Sequence, residues 1–174
     1  MFGMGIAVGD YNRDGNVDFY LTNINENHLL SKDPVNDTFS DVASQAGVSA
    51  GIFDTQPRVS WGTVFFDYDN DGDLDLYVAN DSTENRLWVN GGDGSFTDGT
   101  LLSGTGVNAR GLTEAGMGLA SGDFDSDGLL DLLLVDEEHA ARFYRNAGDG
   151  NFEERTVEVG LGDVGDLRFG AWQD

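Results

Sequence analysis

Cysteine is absent from all 174 residues, so neither a disulfide nor a thiolate metal centre can be built. Proline occurs only twice, which argues against a disordered, proline-rich chain. Positive charge is scarce: nine Lys and Arg stand against 32 Asp and Glu, giving a formal net charge of −23 and a pI near 4.1. Such a chain has no electrostatic basis for gripping nucleic acid or an anionic membrane, and cations are its implied partners. The opening "MFGMGIAVGD" has neither the basic region nor the apolar length of a signal peptide or a membrane span. Histidine is limited to His28 and His139, in unrelated contexts with no Ser or Cys nucleophile beside them, so the chain is read as not an enzyme.

Glycine, by contrast, is present 25 times, about twice its usual share of roughly 7%, and implies many tight turns. Much of the acidity is concentrated: twelve of the 32 acidic residues fall in three nine-residue stretches, "DYNRDGNVD" from Asp10, "DYDNDGDLD" from Asp67 and "DFDSDGLLD" from Asp123. These starts are 57 and 56 residues apart, the period of a repeat unit. Each stretch is preceded by a glycine-marked apolar segment ("GMGIAVGD", "WGTVFFD", "GMGLASGD") and followed by "DFYLTN", "DLYVAN" or "DLLLVD". Two repeats continue into "NRLWVNGGDGSFTDGT" and "ARFYRNAGDGNFEERT", each read as two short strands around a Gly-Asp-Gly turn. In the first repeat a longer loop around Pro34 is expected instead. All three share a Phe-x-Asp/Glu-x-Thr/Ala element, at Phe39 to Ala43, Phe96 to Thr100 and Phe152 to Thr156. Gly47-Val48, Gly106-Val107 and Gly160-Leu161 follow, and these segments are read as linkers.

Each unit therefore supplies about four strands. Leu74, Leu76, Tyr77, Val78 and Ala79 form a nearly continuous apolar run, which suits a strand covered on both faces. Face-to-face stacking of small sheets meets that need, and the fold expected is all-β: about three four-stranded antiparallel β-propeller blades, part of a larger or assembled propeller. The units are placed at 1–56, 57–112 and 113–166, with 167–174, including "FGAWQD", as the start of a further one. Because the repeat starts at once, Met1 is expected not to be the natural beginning of the full-length product.

Within the loops, positions one, three, five and nine carry oxygen-bearing side chains throughout, the ligand type that a hard cation takes. Position six is always glycine, at Gly15, Gly72 and Gly128, where the chain must turn sharply around an ion. Position seven is Asn16, Asp73 or Leu129, and leucine there implies a backbone carbonyl contact; position eight, Val17, Leu74 or Leu130, can anchor the loop in the core. All-oxygen ligands in this number favour Ca²⁺ over Zn²⁺ or strictly octahedral Mg²⁺. Beta-rich flanks such as "LDLYVAN" distinguish these loops from helix-flanked EF-hands that share Asp-x-Asp-x-Asp-Gly.

On these loops and on the "NRLWVNGGDGSFTDGT" element, the sequence resembles the FG-GAP or VCBS repeats of integrin α-type β-propellers, and within them the acidic cartilage protein and ASPIC/UnbV-associated type. The resemblance implies about three structural calcium ions per chain. By position it assigns Asp10, Asn12, Asp14, Asn16 and Asp18 to one site; Asp67, Asp69, Asp71, Asp73 and Asp75 to a second; Asp123, Asp125, Asp127, Leu129 and Asp131 to a third. It implies an extracellular, cell-surface or periplasmic setting and an adhesion or binding role toward protein or carbohydrate, without membrane insertion. Two alternatives are a structural subunit assembling head to tail into a ring or fibre, and a non-catalytic propeller part of a secreted polysaccharide-active enzyme. Asn36 and Asn80 head glycosylation sequons, and Trp88, Trp172 and Arg110 are candidates for a binding surface, with core placement the plainer expectation for the tryptophans.

Overall fold

The computed structural model describes residues 3–49, 58–136 and 141–162. They form three separate four-stranded antiparallel sheets. Blade 1 comprises β1 (Ile6–Gly9), β2 (Asp18–Leu21), β3 (His28–Asp33) and β4 (Thr38–Asp41), followed by a helical turn, α1 (Ala43–Ala46). Blade 2 comprises β5 (Val59–Phe66), β6 (Asp75–Asp81), β7 (Arg86–Asn90) and β8 (Phe96–Asp98), followed by α2 (Thr100–Ser103). Blade 3 comprises β9 (Gly116–Gly122), β10 (Asp131–Asp136), β11 (Arg142–Asn146) and β12 (Phe152–Glu154). Strands are adjacent in chain order within every sheet, so each blade is an up-and-down meander. The fold is all-β and blade-like, as the repeat pattern implied.

The continuous apolar run of β6 is buried from Asp75 through Asn80 because both its faces are covered. On one face Phe65, Leu76, Val78 and Phe96, with Trp88 at its margin, meet Ala7, Tyr11, Tyr20 and Leu29 of blade 1. On the other, Phe66, Tyr77, Ala79 and Leu87 meet Leu132, Leu134, Tyr144 and Phe152 of blade 3. Alternate residues of one strand thus serve two different cores, the period-two geometry of a strand. The glycines before each loop let the first strands of adjacent blades approach: a Cβ on Gly5 would lie 2.1 Å from the Trp61 carbonyl oxygen, and one on Gly62 3.0 Å from that of Met117. Trp88 is partly buried and packs against the core between blades 1 and 2, whereas Arg110 is exposed.

Three local expectations need correction. The turn around Pro34 is not longer than its counterparts, because β3 and β4 are joined by only residues 34–37. The Asp33 carboxylate accepts the N–H groups of Val35 and Asn36 and closes that turn. The linkers contain helical turns, and the glycine equivalent to Gly47 and Gly160 is Gly104, not Gly106, since Gly47, Gly104 and Gly160 have φ of 84°, 74° and 82°. Asn80 is buried, accepts from the Ser60 hydroxyl and donates to Glu84 O, so it is closed to glycosylation in the folded chain; Asn36 is exposed. His139, Trp172 and the segment 167–174 lie outside the described residues.

Adjacent blades are also fastened by polar bonds. Buried Asn90, at the end of β7, donates to the carbonyl of Tyr11 in blade 1 (2.8 Å) and to Leu74 O (3.0 Å), and accepts from Gly92 N (3.0 Å). Asn146 of blade 3 repeats this with Tyr68 O (2.7 Å), Leu130 O (3.3 Å) and Gly148 N (3.0 Å). Blade 1 has Lys32 at this place, ion-paired with Asp37 at its surface. Removing either asparagine side chain orphans buried carbonyls, and Asn90→Ala or Asn146→Ala is expected to cost about 2–4 kcal/mol in urea unfolding. Lys32→Ala is expected to cost under about 1 kcal/mol; equal losses for all three would remove the interblade role.

Candidate metal centres on the interstrand loops

Each acidic loop joins the first and second strands of its blade, so the three recur at the same end of successive sheets. The glycine at position six has φ of 84°, 90° and 91° in the three copies, a left-handed turn that a side chain would strain. Position four is left-handed too, at Arg13, Asn70 and Ser126. These turns aim main-chain amides at the carboxylates. Gly15, Gly72 and Gly128 donate to the first aspartate's Oδ2 at 2.9, 2.9 and 3.1 Å. Asn16, Asp73 and Leu129 donate from their amides to the Oδ1 of Asp14, Asp71 and Asp127 at 2.8, 2.8 and 2.9 Å.

The result gathers Asp67, Asp69 and Asp71, and likewise Asp123, Asp125 and Asp127, so that one carboxylate oxygen from each lies within 4.8 Å of the others. Oxygen donors at that spacing fit a hard divalent cation. In the second loop Asp67 Oδ1 is shielded from water and lacks a hydrogen-bond donor among the described residues, which leaves it free to ligate. Asn12 replaces one carboxylate in the first loop and lowers its charge; Asn12 Oδ1 accepts from Asp14 N, and its amide nitrogen lies 3.2 Å from Asp14 Oδ2. Hydrogen bonds from Asn16 hold the Asp14 carboxyl below the usual range.

Position nine stands apart. Asp18, Asp75 and Asp131 are buried, and each spans from its loop to the third strand. Asp75 accepts from Tyr68 N and Asn90 N, both at 2.9 Å, and Asp131 from Phe124 N (2.9 Å) and Asn146 N (2.8 Å); Asp18 accepts from Lys32 N at 2.9 Å. This bracing role was not read from the sequence, although the third-strand Asn in two repeats was a visible signal. Position eight sits as expected in blade 2, where Leu74 packs into the core between blades 1 and 2, whereas Val17 is 49% exposed.

Two arginines enter the loops, and neither was anticipated as a loop partner. Arg13 reaches across from the first loop to Asp73 of the second, with Nε 2.9 Å from Oδ1. Arg145, on β11, bridges two carboxylates of its own loop, Asp125 and Asp127, each at 2.5 Å, and its hydrogen bond holds the Asp125 carboxyl below the usual range. Val89 and Ser31 occupy the corresponding strand positions of the other blades. Elsewhere, His28 Nδ1 lies 2.6 Å from Asp41 Oδ2, between the third and fourth strands of blade 1.

Burial pushes the Asp75 carboxyl up to about 7, assisted by the nearby charges of Asp69 and Asp71 and opposed by the two amides. A carboxyl whose folded value exceeds the unfolded one stabilises the fold most below about 4, and that contribution is lost as pH rises through about 7. In chelator, the melting-temperature advantage of the wild type over Asp75→Asn should therefore shrink across that interval. An advantage that grows with pH would reverse the assigned sign.

A model of the FG-GAP-like repeat matches residues 10–78, 67–134 and 123–172, one match beginning at each loop. The chain is 31% identical over 183 residues to cartilage acidic protein 1 of Homo sapiens, 32% over 185 residues to that of Mus musculus and 29% over 161 residues to that of Xenopus tropicalis. These alignments cover 98%, 98% and 80% of this chain but only 25%, 26% and 22% of the relatives, so the chain spans about a quarter of their length. Each match starts at the first aspartate of a loop and runs on through the strands that follow it, and the chain belongs to the FG-GAP-like repeat family.

Proposed function

We propose that this chain is a calcium-stabilised, non-enzymatic repeat module of the extracellular space that presents a binding surface to protein or carbohydrate. The observation that carries the calcium assignment is the recurrence of one oxygen-lined loop at the same end of three blades, with two loops holding three carboxylates within 4.8 Å. Asp10, Asn12, Asp14 and Asp18 would hold one ion with the carbonyl or side chain of Asn16. Asp67, Asp69, Asp71, Asp73 and Asp75 would hold the second, and Asp123, Asp125, Asp127 and Asp131, with the Leu129 carbonyl, the third. The ion offsets the repulsion among carboxylates that otherwise weakens each loop.

The setting follows from concentration. At free calcium about 100-fold above Kd, each independent site adds about 2.7 kcal/mol to the folded state, a large share of a typical 5–15 kcal/mol. Millimolar extracellular calcium meets that condition more readily than the cytosol. The relatives' name, cartilage acidic protein, supports the same placement. A formal charge of −23 adds to the case for a cation-rich environment.

Native mass spectrometry in calcium is expected to count three ions per chain, and Asp71→Ala to remove one. Chelation should lower the melting temperature; no shift would exclude a stabilising role. Arg145 competes with an ion for Asp125 and Asp127, so Arg145→Val is expected to tighten the third site about tenfold by calcium titration, without changing the ion count. An unchanged affinity would show that the guanidinium stays clear of the ion.

A further inference from the structure

Asp73, at the seventh position of the second loop, directs its carboxylate at a neighbouring loop instead of its own. The carboxylates that gather in the second loop are those of Asp67, Asp69 and Asp71. The Asp73 side chain is only 13% exposed, and its Oδ1 is shielded from water without an aligned hydrogen bond. A cation faces that oxygen: Arg13 of the first loop, with Nε 2.9 Å away. The same guanidinium lies over the turn of the second loop, since a Cβ on Gly72 would stand 2.7 Å from one of its nitrogens. Arg13 is itself the fourth residue of the first loop, between Asn12 and Asp14. One ion pair therefore joins two loops that belong to different blades.

The junction between blades 2 and 3 shows that packing does not require this charge. There the equivalent residues are Asn70 and Leu129, both neutral. Leu129 rests on the turn between β11 and β12, with Cδ1 3.0 Å from where a Cβ on Gly148 would stand, and Asp73 Oδ2 takes the matching place, 2.8 Å from a Cβ on Gly92. A leucine fills the position as an aspartate does, so the particular contribution of the carboxylate is its pairing with Arg13. Arg145 in blade 3 shows the other course open to an arginine beside such a loop, because it pairs with Asp125 and Asp127 of its own loop. Arg13 adjoins Asp14 in the chain, yet the carboxylate it pairs with is that of Asp73.

We propose that Asp73 sets the calcium affinity of the first loop, a site to which it does not belong, by holding Arg13 away from that loop's carboxylates. The proposal rests on the calcium reading of the loops. In its own loop Asp73 would still serve an ion through its main-chain carbonyl, the group that Leu129 must use at the same position. The first loop is the sensitive one: Asn12 has already taken one carboxylate from it, and an unmatched positive charge within it would lower its attraction for a cation further. With its charge matched by Asp73, Arg13 leaves Asp10, Asp14 and Asp18 to the ion. Asp73 is thus a positioning residue, acting on the first site through Arg13.

The test is a calcium titration of the whole isotope-labelled chain by NMR at low ionic strength, in which the amides of Gly15, Gly72 and Gly128 report the three loops separately. Asp73→Asn is expected to weaken binding at the first loop about tenfold, the effect of a released positive charge beside its carboxylates. Binding at the second loop should change by less than about threefold, because the charges of Asp73 and Arg13 leave its surroundings together. Asp73→Leu, which copies the packing of blade 3, should act on the first loop in the same way. Arg13→Asn installs the residue that the second loop carries at this left-handed place. Added to Asp73→Asn, it should restore the first loop to within about threefold of the wild type, a rescue that loss of packing or of folding would not give. A first loop unaffected by Asp73→Asn, an effect that Arg13→Asn does not rescue, or loss of the second ion would overturn the proposal and leave the calcium reading intact. A wild type in which the Gly15 amide ignores calcium would instead overturn the calcium reading of the first loop, and this proposal with it.

Discussion

A buried carboxylate at the ninth loop position is the constraint on which the rest of each blade depends. Asp75 takes main-chain amides from the loop it closes and from the third strand, and Asp131 does the same in blade 3. A charge held out of water is costly unless it is well bonded, so the loop has little freedom to rearrange without orphaning it. The asparagine that follows on the third strand then grips the preceding blade. Loop conformation, blade geometry and blade stacking are thereby linked through two adjacent polar residues.

Much of this was legible in the sequence because the chain states its pattern three times. Strand identity came from the β-rich segments around each loop, and double-sided burial from the unbroken apolar run ending at Ala79. The left-handed glycine at position six needed no coordinates. What stayed hidden depends on contacts between units, which a linear pattern does not encode. The ninth aspartate reads only as a ligand in the sequence, and its bracing bonds appear once the third strand is seen beside it. Arg145 looks like an ordinary strand residue until its register places it over Asp125 and Asp127, although Val89 and Ser31 at the same repeat position marked it as unusual.

The misread segments have a common cause. Asn80 fits a sequon, but it sits in a strand covered on both faces, and its polar groups are consumed by Ser60 and Glu84. The turn at Pro34 reads as long in the sequence because it lacks the Gly-Asp-Gly signature, whereas the Asp33 side chain closes it by accepting two main-chain N–H groups. Side-chain capping substitutes for glycine there, and composition alone understates such substitutions.

The Asn90 to Tyr11 bond joins residues 79 positions apart, and it makes each unit's loop the property of its neighbour. A blade in such an array is not a self-sufficient folding unit, and its stability is the sum of its own term and those of the junctions it shares. The middle blade takes part in two junctions, and both cover β6. Hydrogen exchange within β6 would then await the opening of both junctions.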